Sequence, residues 1–425
     1  MQFTLEPFMN SYLPAGATRV DAILTVTATG GGVMADKPQA IVGLIMDISG
    51  SMQGQRIEAA KHATRKAIEL IDPTAQFFVI AFSNHVWRVS APALATPQNK
   101  ALAQAAVQRL EAGGGTVISQ AMRQARTEFQ QLPGALHYAL FLTDGKNDAA
   151  DEEYLTQELA ACEGVFQCDC RGVGTDWQTK QLQKIATKLL GTAQIIAEPS
   201  SMEADFRAAI QNAMGRAVGN VRLRLWTPKS AKILSCKQMS PEIVELTNRA
   251  AQVDAQSFDY PTGAWGAESR DYHVAFQLMT GEIGDEMLAC RAAIVYQNAG
   301  QEVKVAAPPL VATWTDDETL TSRINAQVAH YTGQEELASA IQQGLEAREK
   351  GDMDSATRFL GRAAKIATES GNDETTRRLS KVVDIVDANQ GTVRLKSTVN
   401  KADEMDLDLG SSRTARAARK PGAGS

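Results

Sequence analysis

In the stretch IVGLIMDISGSMQGQ, residues 41 to 55, an apolar run stops at Asp47, Ser49 and Ser51. A carboxylate and two hydroxyls thus stand at alternate positions where a buried strand gives way to a helix. Two further oxygen-bearing residues occupy similar contexts: Thr116 follows the glycines of EAGGGT, and Asp144 closes the apolar run of LHYALFLTDG. Glycine permits the close backbone approach that would bring such a loop to a shared point. Three hydroxyls and two carboxylates, with no nitrogen or sulfur among them, form a donor set suited to a hard divalent cation, Mg²⁺ or Mn²⁺. Taken alone, DISGS reads equally well as a strand-to-helix turn with a hydroxyl cap. The contexts of Thr116 and Asp144 are what favour the metal reading.

The elements that must position these residues are legible over residues 40 to 215, where short β-like runs alternate with amphipathic stretches of helical length. That alternation predicts a doubly wound α/β domain with a largely parallel sheet. AIVGLIMD is followed by the helix QRIEAAKHATRKAIELI, which Pro73 closes. AQFFVIAFS and HVWRVS are spaced as an edge hairpin, and helices are expected over about 99–110 and 118–131. The strands LHYALFLTDG, VFQCDCRGVG and AQIIAE then alternate with DEEYLTQELAACE, DWQTKQLQKIATKLL and SMEADFRAAIQNAMGRA. Open sheets of this kind bind ligands at the carboxyl ends of their strands, near the point where strand order reverses. Asp47, Ser49, Ser51, Thr116 and Asp144 are therefore expected on one rim.

These five residues, in these contexts, resemble the metal-ion-dependent adhesion site of von Willebrand factor type A (VWA) domains, with every position of the motif filled. The resemblance implies hydroxyls that bind the ion directly and aspartates that often act through water. It also implies an open coordination position that attracts an Asp or Glu of a partner protein. Asp148, Asp151, Glu152 and Glu153 fall at the start of a predicted helix, where negative charge offsets the dipole. Asp176, in GVGTDW, is either a rim residue or a cap for the next helix.

Other chemistries find less support. The chain has no P-loop, no GxSxG and no HExxH among its five histidines, and His85 and His137 lie in or beside predicted strands. A Mg²⁺-dependent hydrolase would need a general base that no motif supplies, so the protein is not expected to be an enzyme. A net charge of -6 argues against a generic nucleic-acid binder. The first residues lack a basic segment followed by an apolar core, and no stretch reaches the roughly 18 to 20 apolar residues of a membrane span. A cytoplasmic protein without a membrane anchor is expected. Five cysteines without framework spacing fit reduced thiols; Cys168 and Cys170 share a strand face but lack the further ligands zinc requires.

Around the VWA domain, assigned to 39–216, the texture changes. Residues 1–38 and 217–316 are β-rich with alternating apolar positions, and early strands without partners would leave open edges. The VWA domain is therefore expected to be inserted into a discontinuous antiparallel β-sandwich. Residues 317–390 read as helical, with LEAREKGDMDSATRFLGRAAKIATES resembling one tetratricopeptide-type hairpin; packing in an ordinary bundle is the alternative to a peptide-binding solenoid. Residues 391–425 are polar and expected to be a disordered tail. There LGSSRTARAARK sets Ser411, Ser412 and Thr414 among Arg413, Arg416, Arg419 and Lys420, which makes Thr414 a candidate phosphosite unless the tail is simply solvated. The whole layout is similar to bacterial cytoplasmic VWA proteins. That resemblance implies an adaptor whose partners are Ser/Thr kinases, PP2C-type phosphatases or forkhead-associated proteins. A role beside an AAA+ ATPase of MoxR or chelatase type is the alternative, although the chain carries no ATPase domain and no acidic, proline-rich linker.

Overall fold

The computed structural model describes residues 1–30, 39–132, 136–298, 300–414 and 416. They divide into two units, one of residues 39–220 with Gly263–Ala267 and Met1, the other of Gln2–Gly30, Val221–Thr262 and the residues from Glu268 onward.

The first unit is built on a six-stranded sheet in the spatial order Val86–Leu94, Gln76–Phe82, Ala40–Asp47, Leu136–Thr143, Gln167–Val173, Ala193–Ile196. Numbered by their appearance in the chain, these strands run 3-2-1-4-5-6, the Rossmann-like order. The expected edge hairpin is the antiparallel pair, and the other strands are parallel. The order reverses between Ala40–Asp47 and Leu136–Thr143, so the crevice opens where Asp47 and Asp144 emerge.

Ala40–Asp47 is buried at every residue but the first, as a continuous apolar run in a central parallel strand should be. Val42, Leu44 and Met46 share a core with Ile57, Ala60 and Ala67 of the helix Gln55–Leu70 and with Phe206 and Ile210 of the helix Met202–Met214. Gly43 makes room for an aromatic ring: a Cβ there would stand 2.5 Å from Cζ of Phe78. Phe78 meets Phe129 edge-on at 4.9 Å, and Phe129 stacks on Phe166 at 4.8 Å. Phe129 belongs to the helix Ile118–Gln130. This aromatic pile therefore anchors the helix whose start follows Thr116.

The second unit holds two large sheets and, among its C-terminal helices, a two-stranded one. In the five-stranded one, Arg19–Thr29 lies antiparallel between Gln2–Met9 and Ser269–Leu278, and Ala231–Ser240 and Val244–Glu245 follow. In the other, Tyr12–Leu13 pairs in parallel with Leu310–Trp314, which joins Glu286–Asn298. Two of the N-terminal strands thus pair with strands from the far part of the chain, Arg19 opposite Gln277 and Tyr12 opposite Thr313.

Beyond the sheets, Ala326–Glu349 and Met353–Glu369 form the expected helical hairpin, turned at Gly351 with φ +80° and capped by Asp352. The region is not helical to residue 390, however. Val383–Asp387 pairs with Thr392–Leu395, because β-branched Val383, Ile385 and Val393 flank a turn at Gly391, φ +67°. The disordered tail expected from 391 is corrected too. Lys401–Gly410 is a helix capped by the Asn400 side chain, with Met405, Leu407 and Leu409 buried. Leu407 joins the core of Leu337, Ile341, Leu360 and Val382. Asp403 and Glu404, which made the segment look solvated, pair with Lys381 at 2.9 Å and Arg348 at 3.1 Å. Arg419 and Lys420 lie outside the described residues.

Candidate metal centre

Asp47 ends its strand fully buried. Its Oδ1 accepts the backbone N–H of Ser49 at 2.7 Å, and its Oδ2 accepts the hydroxyl of Thr143 at 2.5 Å. Thr143 ends the neighbouring strand, so one carboxylate ties together two strand ends at the point of reversal. Burial pushes this carboxyl up to about 6, although the bonds from Ser49 and Thr143 favour its charged form.

A short turn over Gly50–Met52 follows, and it leaves the hydroxyls of Ser49 and Ser51 3.1 Å apart. Ser51 donates to Asp144 Oδ1 at 2.6 Å. Thr116 reaches the same place. A Cβ added to Gly145 would stand 3.1 Å from Oγ1 of Thr116, 3.4 Å from Oγ of Ser51 and 3.8 Å from Oγ of Ser49. Three hydroxyls therefore surround one point beside Gly145, which stays open because residue 145 has no side chain. Among the described residues no group of three or more His, Cys, Asp or Glu side chains is placed to hold a metal. A cation at this point would depend on hydroxyls, and the all-oxygen set fits an ion of the Mg²⁺ or Mn²⁺ kind.

The loop carrying Thr116 is held by its backbone. Gly50 N–H donates to Gly114 O at 2.9 Å, Gly113 N–H to Ile48 O at 2.7 Å, and Val117 N–H to Ser83 O at 2.9 Å. Gly114, at φ +88°, adopts a conformation that L side chains rarely reach, and a Cβ there would stand within 2.4 Å of Asn84 Oδ1. The loop after Asp144 closes the arrangement. Asp148 N–H donates to Thr116 O at 2.8 Å, Asn147 Oδ1 accepts Ile118 N–H at 3.0 Å, and Asp151 Oδ2 accepts Ser119 N–H at 2.9 Å. Asp151 thus caps the helix after Thr116, and Asp148 caps its own turn through Ala150 N–H at 3.1 Å. Glu152 accepts from Gln181, and Glu153 from Gln157 at 3.4 Å.

The sequence does not single out Arg56, in the first turn of the helix after DISGS. Its guanidinium lies 2.8 Å from Asp144 Oδ2 and 3.0 Å from Asp176 Oδ2, so Asp176 is tied to the rim through Arg56. Asp144 is shared between Ser51 and a cationic side chain. The only available signal was a basic residue close behind the motif. Asn147 carried none, because an uncharged loop residue looks the same whether or not it caps a distant helix. His137 is structural, its ring nitrogens 2.8 and 2.9 Å from the carbonyl oxygens of Val165 and Leu132. All five cysteines are buried and free of disulfides. Thr414 belongs to the other unit, where its hydroxyl donates to the carbonyl of Met239.

Residues 42–146 match the von Willebrand factor type A domain, and residues 365–411 match the von Willebrand factor type A C-terminal domain. A von Willebrand factor type A protein from Catenulispora acidiphila is 41% identical in sequence, with a TM-score of 0.93 over 98% of this chain and 97% of that one. The ArnB paralog VWA2 from Sulfolobus acidocaldarius shares the fold at 15% identity, with a TM-score of 0.63 over 96% and 97% of the two chains. An uncharacterized protein of Synechocystis is 29% identical over 209 residues, which is 48% of this chain and 49% of that protein, so the match spans about half the length of this relative. With its motif residues on the rim of a Rossmann-like sheet and a near full-length relative of the same architecture, the chain belongs to the von Willebrand factor type A family.

Proposed function

We propose that this protein is a metal-dependent interaction module in which Asp47, Ser49, Ser51, Thr116 and Asp144 form an intact metal-ion-dependent adhesion site for one Mg²⁺ or Mn²⁺. The observation that supports this is the convergence of three hydroxyls beside Gly145, with Asp144 joined to Ser51. VWA domains are generally protein-interaction modules, and the centre stands at the strand ends where such a sheet receives ligands. When bound, the ion would supply an electrophilic position for an Asp or Glu of a partner protein. The chain's own residues do the rest. Asp47 holds the two strand ends in register, the neutral hydroxyls leave positive charge unquenched, and Arg56 adds a second cation between Asp144 and Asp176. We assign no catalytic step.

Within this reading, the two large, mostly antiparallel sheets form one discontinuous β-sandwich domain, interrupted by the Rossmann-like unit. Among the described residues no helix is long and apolar enough to cross a membrane, and we place the protein in the cytoplasm as an adaptor in Ser/Thr phosphorylation signalling. A Ser/Thr kinase, a PP2C-type phosphatase or a forkhead-associated protein is then the partner. The support for this narrower role is the Ser/Thr-bearing basic segment around Thr414. A pull-down with and without EDTA, repeated with Ser51→Ala and read by mass spectrometry, tests both levels. Partners that need metal and Ser51 support the module, and a kinase, phosphatase or forkhead-associated protein among them supports the pathway. An AAA+ ATPase in their place supports the accessory-subunit role. Retention of the same proteins by Ser51→Ala in EDTA would overturn the metal-dependent reading.

A further inference from the structure

We infer that the second unit carries a docking cleft for a basic Ser-Arg-Thr-x-Arg peptide, and that the chain's own C-terminal segment, beginning at Ser411, is its exchangeable occupant. The cleft is defined by its polar partners: the chain edge at residues 239–243, where the strand Ala231–Ser240 turns into Val244–Glu245, and Asp271, which stands opposite Ser240 on the strand Ser269–Leu278. Past the helix Lys401–Gly410, the segment joins this edge as an added strand does. Ile243 N–H donates to Ser412 O at 2.7 Å, Thr414 N–H donates to Pro241 O at 3.1 Å, and Glu242 and Arg413 form an antiparallel bridge. Strand addition of this kind takes affinity from main-chain bonds and specificity from side chains.

Three side chains supply the specificity. The Thr414 hydroxyl donates to Met239 O, Arg413 Nε lies 3.4 Å from Glu242 Oε1, and Arg416 Nε lies 3.1 Å from Asp271 Oδ2. Asp271 is the anchor of the cleft. It is 1% exposed, takes the Thr25 hydroxyl on Oδ1 and takes the Tyr331 hydroxyl on Oδ2 at 2.7 Å. Both of those donors are neutral, and among the described residues the cation that reaches this buried carboxylate is Arg416 of the C-terminal segment. A buried charge left without its ion partner is costly, which gives the cleft a specific appetite for a guanidinium.

The manner of attachment makes the occupant exchangeable. The preceding helix is held by buried Met405, Leu407 and Leu409, whereas Arg413, Thr414 and Arg416 are held by hydrogen bonds and ion pairs, with 42% of the Arg416 side chain exposed. Bonds of this type weaken with salt and with any added negative charge. In cis the segment acts at an effective concentration of order millimolar, which masks the cleft from free peptide. Once displaced, it leaves a site for the same segment of a second copy.

The test uses the full chain and a fluorescein-labelled peptide of residues 408–420, followed by anisotropy. Wild type should bind this peptide at least about tenfold more weakly than Arg416→Glu, in which Asp271 repels the cis segment. Binding to Arg416→Glu should fall by about tenfold or more when the peptide itself carries Arg416→Glu or phosphothreonine at 414, neither of which alters the folded protein. Asp271→Asn in the Arg416→Glu background should show the same loss, with near-UV circular dichroism checking the fold. Binding to Arg416→Glu no tighter than to wild type, or indifferent to the charge of the peptide, would overturn the cleft. Mg²⁺ and EDTA should give equal peptide affinities, so this result stands or falls apart from the metal centre.

Discussion

At the scale of single residues, the centre contains two kinds of side chain that mutation should separate. Ser51 is exposed and gives its hydroxyl to Asp144. Ser51→Ala should lower Mg²⁺ affinity by about tenfold, or ~1.4 kcal/mol, in calorimetric titration, while the denaturation midpoint stays where it was. Asp47 differs, because it is buried and satisfies both Ser49 N–H and the Thr143 hydroxyl. Its position at the end of the sheet suggests that Asp47→Ala should spare the fold, but losing that acceptor should cost roughly 1–3 kcal/mol as well as metal. Chemical denaturation without metal measures this, and an unchanged midpoint would refute it. The same carboxylate predicts a pH dependence. Burial raises it to about 6 from 3.8, so the folded, metal-free protein holds this proton more tightly than the unfolded chain does. Its stability contribution is fully present below 3.8 and is lost as pH rises through about 6. A metal needs the ionised form, so Mg²⁺ affinity should fall several-fold between about pH 7 and pH 5. Calorimetry at the two pH values checks it, and a flat affinity would place Asp47 outside the ion's reach.

At the scale of elements, strand Ala40–Asp47 and helix Ile118–Gln130 deliver the site through one aromatic contact. Gly43 permits it, since a Cβ there would press within 2.5 Å of Phe78, which leans on Phe129. Gly43→Ala should therefore cost about 1–3 kcal/mol through overpacking. It should also weaken Mg²⁺ binding, because the displaced helix begins beside Thr116. Thermal unfolding and metal titration of the one variant measure both effects, and lost stability with untouched affinity would uncouple the helix from the centre. These elements were legible because their periods of 2 and 3.6 are written locally, down to the edge hairpin and the helix Gln55–Leu70. The strand Val383–Asp387 and the helix Lys401–Gly410 were not. A run of five residues does not separate strand from helix by period, and DEMDLDL looks solvated until Leu337, Ile341 and Val382 offer its leucines a core.

At the scale of the whole molecule, the second unit depends on residues far apart in the chain. Arg19–Thr29 lies between Gln2–Met9 and Ser269–Leu278, so removing residues 1–30 takes out an inner strand. Hydrogen exchange should then show lost protection across Ser269–Leu278 and Ala231–Ser240, with Ala40–Asp47 still protected. Full protection of Ser269–Leu278 would mean that the later strands fold without the early ones.

The amino-acid sequence by itself determined the oxygen-bearing side chains of the candidate centre and the order of the α/β elements that bring them to one rim. Both follow from residue type and from periodicity within a few turns of chain. Tertiary structure alone decided that Arg56 shares Asp144 with Ser51, that Asp151 caps a helix from another loop, and that Thr414 and Arg416 are docked rather than free. Each of those outcomes depends on a partner tens to hundreds of residues away. A charged or polar side chain looks the same in sequence whether water or a buried carboxylate will satisfy it, and only the packed chain brings the second group within reach.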